Sequence, residues 1–459
     1  MKKYWFINLL VLFLLLSIAT SSNAQGVTET QAPGTWVSSI NIQNTSDSEA
    51  AVVLTFYNSD GSIALEYVVD PPLAAHGSRS LYIPDAIDNL ADGQYSVIVS
   101  SNQQLEIVAN SSSTTPSTAG AYSGLQSYEI AKNVFFPGLY NNYFGFHSEI
   151  LLQNTEDTNA TVTITFYNQK TGSQVKEVSG INIPAKSTRV FAMADISELP
   201  LGDEDGLLSA RVTSDKKLAA IANIWTSAYH GELSDYNAYV SGSTSVVYAP
   251  ALYNAYYGFV SSLTVQNVDT VDAEIEVTYS NGETETKTLS PNQAFEYYQP
   301  HNAALPSGNT DGVFSAQIKS LNNAEIVVLV NIENKNKGLL ASYNGPSTAT
   351  TSINVPVVLK SFYQWFSAQT VQNVGTNPTD ITITYATGET ATFENIPANG
   401  TVNIIELDYY NSVLPDGSSV SAVIESSGEP IVAVVQENSN YRYSQTPGDY
   451  LLAYTGIEQ

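Results

Sequence analysis

The chain has 459 residues, with 17 lysines and arginines against 44 aspartates and glutamates, giving a formal net charge of −27. That excess of acid repels phosphate backbones and anionic headgroups, which argues against nucleic acid or anionic membrane as the main partner. Hydrophobic residues make up 43% of the chain and cysteine is absent, so packed cores are affordable while disulfides, thiolate metal sites and cysteine nucleophiles are excluded together.

Residues 1–24 begin with Lys2 and Lys3, continue through the apolar stretch Leu9 to Leu16, and end Ser22-Asn23-Ala24. A charged start, a short apolar core and small residues before a cut predict a secretory signal peptide. The apolar core is short for a bilayer span, and nothing later reads as a transmembrane helix. The expectation is a bacterial chain that is secreted, extracellular or on the cell surface, with domains that stand on packing without disulfide staples.

From there on the sequence resembles itself. Gln-Asn recurs at Gln43-Asn44, Gln153-Asn154, Gln266-Asn267 and Gln372-Asn373, and other landmarks keep step with it. A β-rich segment ending in an aromatic follows each pair, closing at Tyr57, Tyr167, Tyr279 and Tyr385. A turn glycine comes next, at Gly61, Gly172, Gly282 and Gly388. Apolar stretches follow around Ile107, Ile221, Val328 and Val434, and each unit closes on Tyr122/Gly124, Tyr239/Gly242, Tyr343/Gly345 or Tyr454/Gly456. A fixed order of landmarks at one period means one structural unit used four times.

Apolar residues alternate within each unit, as in Thr161-Val-Thr-Ile-Thr-Phe-Tyr167, which is the period of half-buried strands. The fold class predicted is all-β: four tandem β-sandwich domains of immunoglobulin-like size behind the signal peptide, spanning 25–131, 132–248, 249–355 and 356–459. Units of this length can bury their own cores, so the expected arrangement is four separate beads in a semi-rigid row.

An aromatic cluster opens units two to four: Tyr140, Tyr143 and Phe146, then Tyr253, Tyr256, Tyr257 and Phe259, then Tyr363 and Trp365. Unit one has only Trp36 there. The cluster occurs only in units with another unit before them, which points to the joint between consecutive domains. Flat tyrosines on a rigid sheet end could instead stack on sugar rings. The Gln-Asn pairs read as turn chemistry. The acidic loops Gly202-Asp-Glu-Asp-Gly206 and Asn154-Thr-Glu-Asp-Thr158 offer oxygen ligands of the kind Ca²⁺ prefers, but read first as solvated loops, so no cofactor is assigned. His76, His147, His230 and His301 lack the spacing of a zinc site. No nucleophile elbow, phosphate loop or His-Glu-x-x-His is present, and the even spacing leaves no unit with the insertions an active site requires; the expectation is no enzyme.

A short β-prone segment ending in proline precedes each unit: Val27 to Pro33, Val134 to Pro137, Val246 to Pro250 and Ile353 to Pro356. Paired with the preceding sheet, it would leave the last unit an open edge for another molecule's N-terminal segment. Paired with its own unit, it leaves none. The most acidic units are the first and the last, which opposes such head-to-tail growth.

The order of aromatic opener, Gln-Asn, strand, glycine turn, Ile-Pro-Ala-type loop and Ser-Ala-x-Ile-x-Ser strand resembles tandem β-sandwich repeats of secreted or surface proteins from environmental bacteria such as Chloroflexi. The resemblance spans the mature chain and implies location and architecture. The function expected is that of a non-enzymatic structural or adhesive repeat protein of the cell surface, self-assembling into a layer or filament, with self, other surface proteins or glycans as partners. The alternative is a multivalent glycan-binding protein that uses the tyrosine clusters.

Overall fold

The computed structural model describes residues 8–15, 35–114, 117–226, 231–410, 412–439 and 449–458. The first unit holds β1 (Asn8–Leu15), β2 (Trp36–Asn44), β3 (Val52–Tyr57), β4 (Ile63–Val68), β5 (Ser78–Tyr82), β6 (Gln94–Ser101), β7 (Leu105–Thr114) and β8 (Ser117–Ser123). The second holds β9 (Ala131–Tyr143), β10 (Phe146–Asn154), β11 (Ala160–Asn168), β12 (Gln174–Ile183), β13 (Thr188–Ala192), β14 (Leu207–Thr226) and β15 (Leu233–Asn237). The third comprises β16 (Val246–Tyr256), β17 (Phe259–Asn267), β18 (Ala273–Tyr279), β19 (Thr284–Leu289), β20 (Ala294–Tyr298), β21 (Val313–Ser320), β22 (Ile326–Asn334) and β23 (Leu339–Asn344). The fourth comprises β24 (Ser352–Lys360), β25 (Trp365–Asn373), β26 (Thr379–Tyr385), β27 (Thr390–Ile396), β28 (Thr401–Ile405), β29 (Ser418–Ser426), β30 (Ile431–Ser439), β31 (Leu451–Thr455) and β32 (Ile457–Glu458).

The fold is all-β, and each unit is two antiparallel sheets packed face to face. One sheet runs β4-β3-β6-β1, β12-β11-β14-β9, β19-β18-β21-β16 or β27-β26-β29-β24; the other runs β5-β2-β7-β8, β13-β10-β14-β15, β20-β17-β22-β23 or β28-β25-β30-β31. Alternation drives the pairing: along β11, Val162, Ile164 and Phe166 turn into the core and the threonines between them face outward. The proline-ended segment pairs with its own unit, β9 on β14, β16 on β21 and β24 on β29. The place beside β6 is taken by β1, from within the apolar stretch read as an export signal; Val27 to Pro33 lie outside the described residues. The boundaries expected at 248/249 and 355/356 cut through β16 and β24, whose pairings assign them whole to the units they open.

The register also corrects one landmark. Gly124, Ala238, Gly345 and Gly456 donate N–H to Ile107, Ala220, Val328 and Ala433 at 2.8, 2.9, 2.8 and 2.9 Å, so the second unit's counterpart of Tyr122, Tyr343 and Tyr454 is Tyr236, not Tyr239. The hydroxyls of Tyr236, Tyr343 and Tyr454 donate to the carbonyls of Gly138, Ala251 and Val357 at 2.8, 2.9 and 3.0 Å, tying the last strand of one sheet to the first strand of the other.

The four Gln-Asn asparagines are fully buried. Asn154 Nδ2 donates to the carbonyls of Thr158, Ile183 and Pro184 at 2.8, 3.2 and 3.1 Å, and its Oδ1 accepts the Glu156 N–H. Asn44, Asn267 and Asn373 repeat the pattern. The side chain is thus a plug that satisfies backbone groups of two turns at once.

The units do not form a row of separate beads. β8 packs on β15, β15 on β23, β23 on β31, and β31 returns to β8, so the four last strands close a ring. Each unit's core receives side chains from the next: Leu151, Ala219 and Ile221 join the first core, Leu329 and Leu340 the second, Val434, Leu451 and Ala453 the third. Val108, Ala119 and Ala121 of the first unit then enter the fourth core. Polar contacts follow the same path. Asn237 Nδ2 donates to Ser123 O at 3.0 Å, Asn344 Nδ2 to Asn237 O at 2.7 Å, and Thr455 Oγ1 to Asn344 O at 2.7 Å. The physical reason is that strands such as β22 and β30 are buried on both faces, and an apolar outer face must be covered.

Carboxylates are buried along with these strands. Burial pushes Glu106 up to about 8 and Glu149 and Glu437 up to about 7; Glu437 accepts Asn110 Nδ2 across the seam between units four and one at 3.1 Å. These acids hold protons in the folded chain that the unfolded chain releases, so their contribution is fully present below about pH 4.5 and is lost as pH rises towards 7 to 8. Melting followed by circular dichroism should therefore give a lower Tm at pH 8 than at pH 5, and Glu437→Gln should flatten that slope. Asn154→Ala removes three donated bonds, one to a buried and two to part-buried carbonyls, and should cost about 3 kcal/mol in denaturant unfolding.

Candidate binding cleft

Three hairpins carry the aromatic clusters. Between β9 and β10 the chain turns through Asn142, Phe144 and Gly145 at φ 54°, 48° and 81°; between β16 and β17 through Ala255, Tyr257 and Gly258 at 56°, 47° and 86°. Ser361, Tyr363 and Gln364 do the same at 53°, 45° and 72° before β25. Left-handed backbone is costly for side chains with a Cβ, and a buttress holds each turn. Phe144 N–H donates to Asp203 Oδ1 at 2.8 Å, Tyr257 N–H to Asn309 Oδ1 at 2.8 Å, and Ser361 Oγ to Asp416 Oδ1 at 3.2 Å. Asp203, in a loop considered for Ca²⁺, is thus engaged in holding a hairpin. Among the described residues, no group of three or more acidic or histidine side chains is close enough to hold a metal ion.

The strained positions aim their rings at solvent: Phe144 is 60% exposed, Tyr257 57% and Tyr363 85%. Below each tip in units two and three the rings form one arrangement. Tyr140 lies 6.0 Å from Tyr143 and 5.9 Å from Phe146; Tyr253 lies 6.0 Å from Tyr256 and 5.9 Å from Phe259. Tyr140 and Tyr253 are buried, and each reaches the following unit, not the preceding one. Tyr140 Oη accepts Asn331 Nδ2 at 3.0 Å, and Tyr253 Oη donates to Gln436 Oε1 at 3.1 Å. Burial holds the Tyr140 phenol far above its usual range and pushes Tyr253 up to about 12. In unit four, Trp365 closes the hairpin by pairing with Phe362 and is half-buried, packed edge-on to Tyr450 at 6.4 Å.

Tyr143, Tyr256, Phe146 and Phe259 are half-buried and wall two related clefts. The cleft between units two and three measures about 290 Å³ and adds Glu296, Tyr298, His301, Glu333 and Lys335 from the third unit. The cleft between units three and four measures about 120 Å³ and has Asn403 and Asn438 at the strand positions of Glu296 and Glu333. Burial raises the carboxyl of Glu296, only partly offset by a hydrogen bond from Ser262 and by the charges of Lys335 and His301. Burial and the charge of Glu296 raise Glu333, against the pull of Lys335, whose Nζ lies 3.5 Å away. An aromatic wall facing carboxyl and imidazole groups can stack on an apolar ring face while hydrogen-bonding its hydroxyls.

The five polar residues from unit three carry no local sequence signal. They sit on β20, β22 and the turns after them, and meet the tyrosines of unit two only through the ring seam. His301, one of four histidines without ligand spacing, lines the cleft; His147 stacks on Trp225 at 5.8 Å.

No family model matches the chain, and no curated protein matches it. Among solved structures, it is similar to a protein of Thermotoga maritima, numbered 1070, at 21% identity and a TM-score of 0.20, over 24% of this chain and 93% of that one. It is similar to the Anabaena sensory rhodopsin transducer at 18% identity and a TM-score of 0.16, over 19% of this chain and 90% of that one. A β-glucuronidase of Bacteroides uniformis gives 12% identity and a TM-score of 0.11, over 56% and 27% of the two chains.

Glycine has no Cβ to clash at the tips. Phe144→Gly and Tyr257→Gly should therefore each stabilise the chain by about 1 kcal/mol in urea unfolding, although each removes an aromatic ring.

Proposed function

We propose that the protein is a non-enzymatic adhesive protein of the cell exterior that binds glycans on the aromatic hairpins of its ring, with the cleft between units two and three as the principal sugar site. Export rests on the charged and apolar sequence of residues 1–24, the same segment that supplies β1. The observation that carries the binding reading is the pair of related clefts. Both keep the aromatic wall, but one alone is ligand-sized and furnished with Glu296, His301, Glu333 and Lys335. Spending stability on left-handed aromatic residues at three tips supports a role for the rings beyond packing. Several sites fixed on one body add their weak affinities through multivalency.

Growth into a filament by strand exchange finds less support. The edge of β24 that faces away from β29 is taken by β32, and the described proline-ended strands β9, β16 and β24 are paired at home. Two half-buried carboxylates in one cleft, Glu296 and Glu333, favour one competing reading, glycoside hydrolysis. A glycan array followed by calorimetry on the best oligosaccharide separates them. The expected result is binding without release of new reducing ends, weakened at least about tenfold by Tyr143→Ala and by Glu296→Gln. Retention of no glycan would overturn the proposal, and turnover abolished by Glu333→Gln would replace it with a hydrolase.

A further inference from the structure

A second cavity, independent of the cleft, lies where the ring closes. It measures about 390 Å³ and is lined by the C-terminal ends of all four ring strands, from Ala121 to Leu125, Asp235 to Ser241, Ser342 to Thr348 and Ala453 to Gly456. No single unit or pair of units could form it. Its lining includes three carboxylates, Glu106, Glu129 and Asp235, and no lysine, arginine or histidine. Glu106 is 1% exposed. Its Oε2 accepts Gln126 Nε2 at 3.1 Å, while its Oε1 is buried with no hydrogen bond of good geometry, Gln104 being the further amide that acts on the carboxyl. Asp235, 4% exposed, packs against Gly120, where a Cβ would lie 2.3 Å from its Oδ2.

We propose that this axial pocket binds an organic cation, an aliphatic di- or polyamine whose ammonium groups satisfy Glu106 and Asp235. A buried carboxylate oxygen with no donor is expensive to leave unmade, and an ammonium group supplies both charge and several N–H donors. The described acids do not converge on a point where a bare metal ion could sit, whereas a flexible amine reaches separated carboxylates in a volume of this size. Serine, threonine and asparagine side chains and strand-end carbonyls around the wall can accept the remaining N–H groups.

Binding should release protons. Burial, reinforced by the charge of Glu129, pushes Glu106 up to about 8, and burial pushes Asp235 up to about 7. An arriving cation draws those protons off, while aliphatic amines remain charged throughout this range. Affinity should therefore rise with pH between 6 and 8.5. The groups that bear on Glu106 are Gln104, Gln126 and Glu129, with Asp235 also lining the pocket.

The test is calorimetry of the full chain with putrescine and spermidine, in two buffers of different ionisation enthalpy, at pH 6 and 8.5. The expected result is one site per chain, tighter at pH 8.5 by about tenfold or more, with a buffer-dependent heat that reports proton release. Glu106→Gln should weaken it at least about tenfold and reduce the proton release. Glu333→Gln, in the sugar cleft, should leave it unchanged. Asp235→Asn is the second probe, and the Tm of each variant checks that the ring is intact. Absence of binding at both pH values, equal affinity in folded Glu106→Gln, or saturation by Ca²⁺ in place of the amines would overturn the proposal. None of these results depends on whether the cleft binds sugar.

Discussion

The structure depends on covering the outer face of one strand pair. In every unit, the strand after the second-sheet centre and its neighbour at the sheet edge are buried on both faces. A two-layer sandwich can hide only one of those sides. The other must go somewhere, and at about 25 cal/mol per Å² of apolar surface the penalty for leaving four such faces wet is large. Each unit solves this by lending the outer face to the core of the unit before it, and the first lends to the fourth, which closes the ring. A row of beads would leave one end uncovered, whereas a ring leaves none.

Closure has consequences for chemistry. It buries acids that a free sandwich would expose, which is why Glu106, Asp235 and Glu437 titrate so far above their ordinary range. Asp449 shows the structural use of such a group: its carboxylate accepts N–H from Leu233 of unit two and Leu340 of unit three at 2.8 and 3.0 Å, and from its near neighbour Leu451 at 3.1 Å. One side chain thus locks three units together where their ring strands begin. Closure also makes two kinds of cavity, clefts at the seams and a pocket on the axis, neither of which exists in an isolated unit.

Repetition supplies the frame and divergence supplies the chemistry. The hairpin geometry, the tyrosine pair and the seam hydrogen bond recur between units two and three and between three and four. Glu296 and Glu333 give way to Asn403 and Asn438 in the second of these clefts. With the aromatic wall shared, the difference in polar furnishing is the part free to specify a ligand.

The sequence alone determined the local structure. Period-two alternation set the strands, the recurring landmarks set the four units, and the Gln-Asn pairs announced turns that the buried asparagines do hold. The apolar stretches around Ile107, Ile221, Val328 and Val434 were legible too, but they read as strands of separate units, and only the structure gives them burial on both faces. What covers those faces was not legible, because an apolar surface is non-directional and accepts any apolar partner. The landmark Tyr239 was misplaced for a related reason: spacing in the sequence cannot fix hydrogen-bond register where loops differ in length. Only the tertiary structure decided that the chain closes into a ring, that Tyr140 meets Asn331, and that Glu106 faces a pocket shared by all four units. Those meetings join residues far apart in the chain, and they follow from packing geometry that no local pattern records.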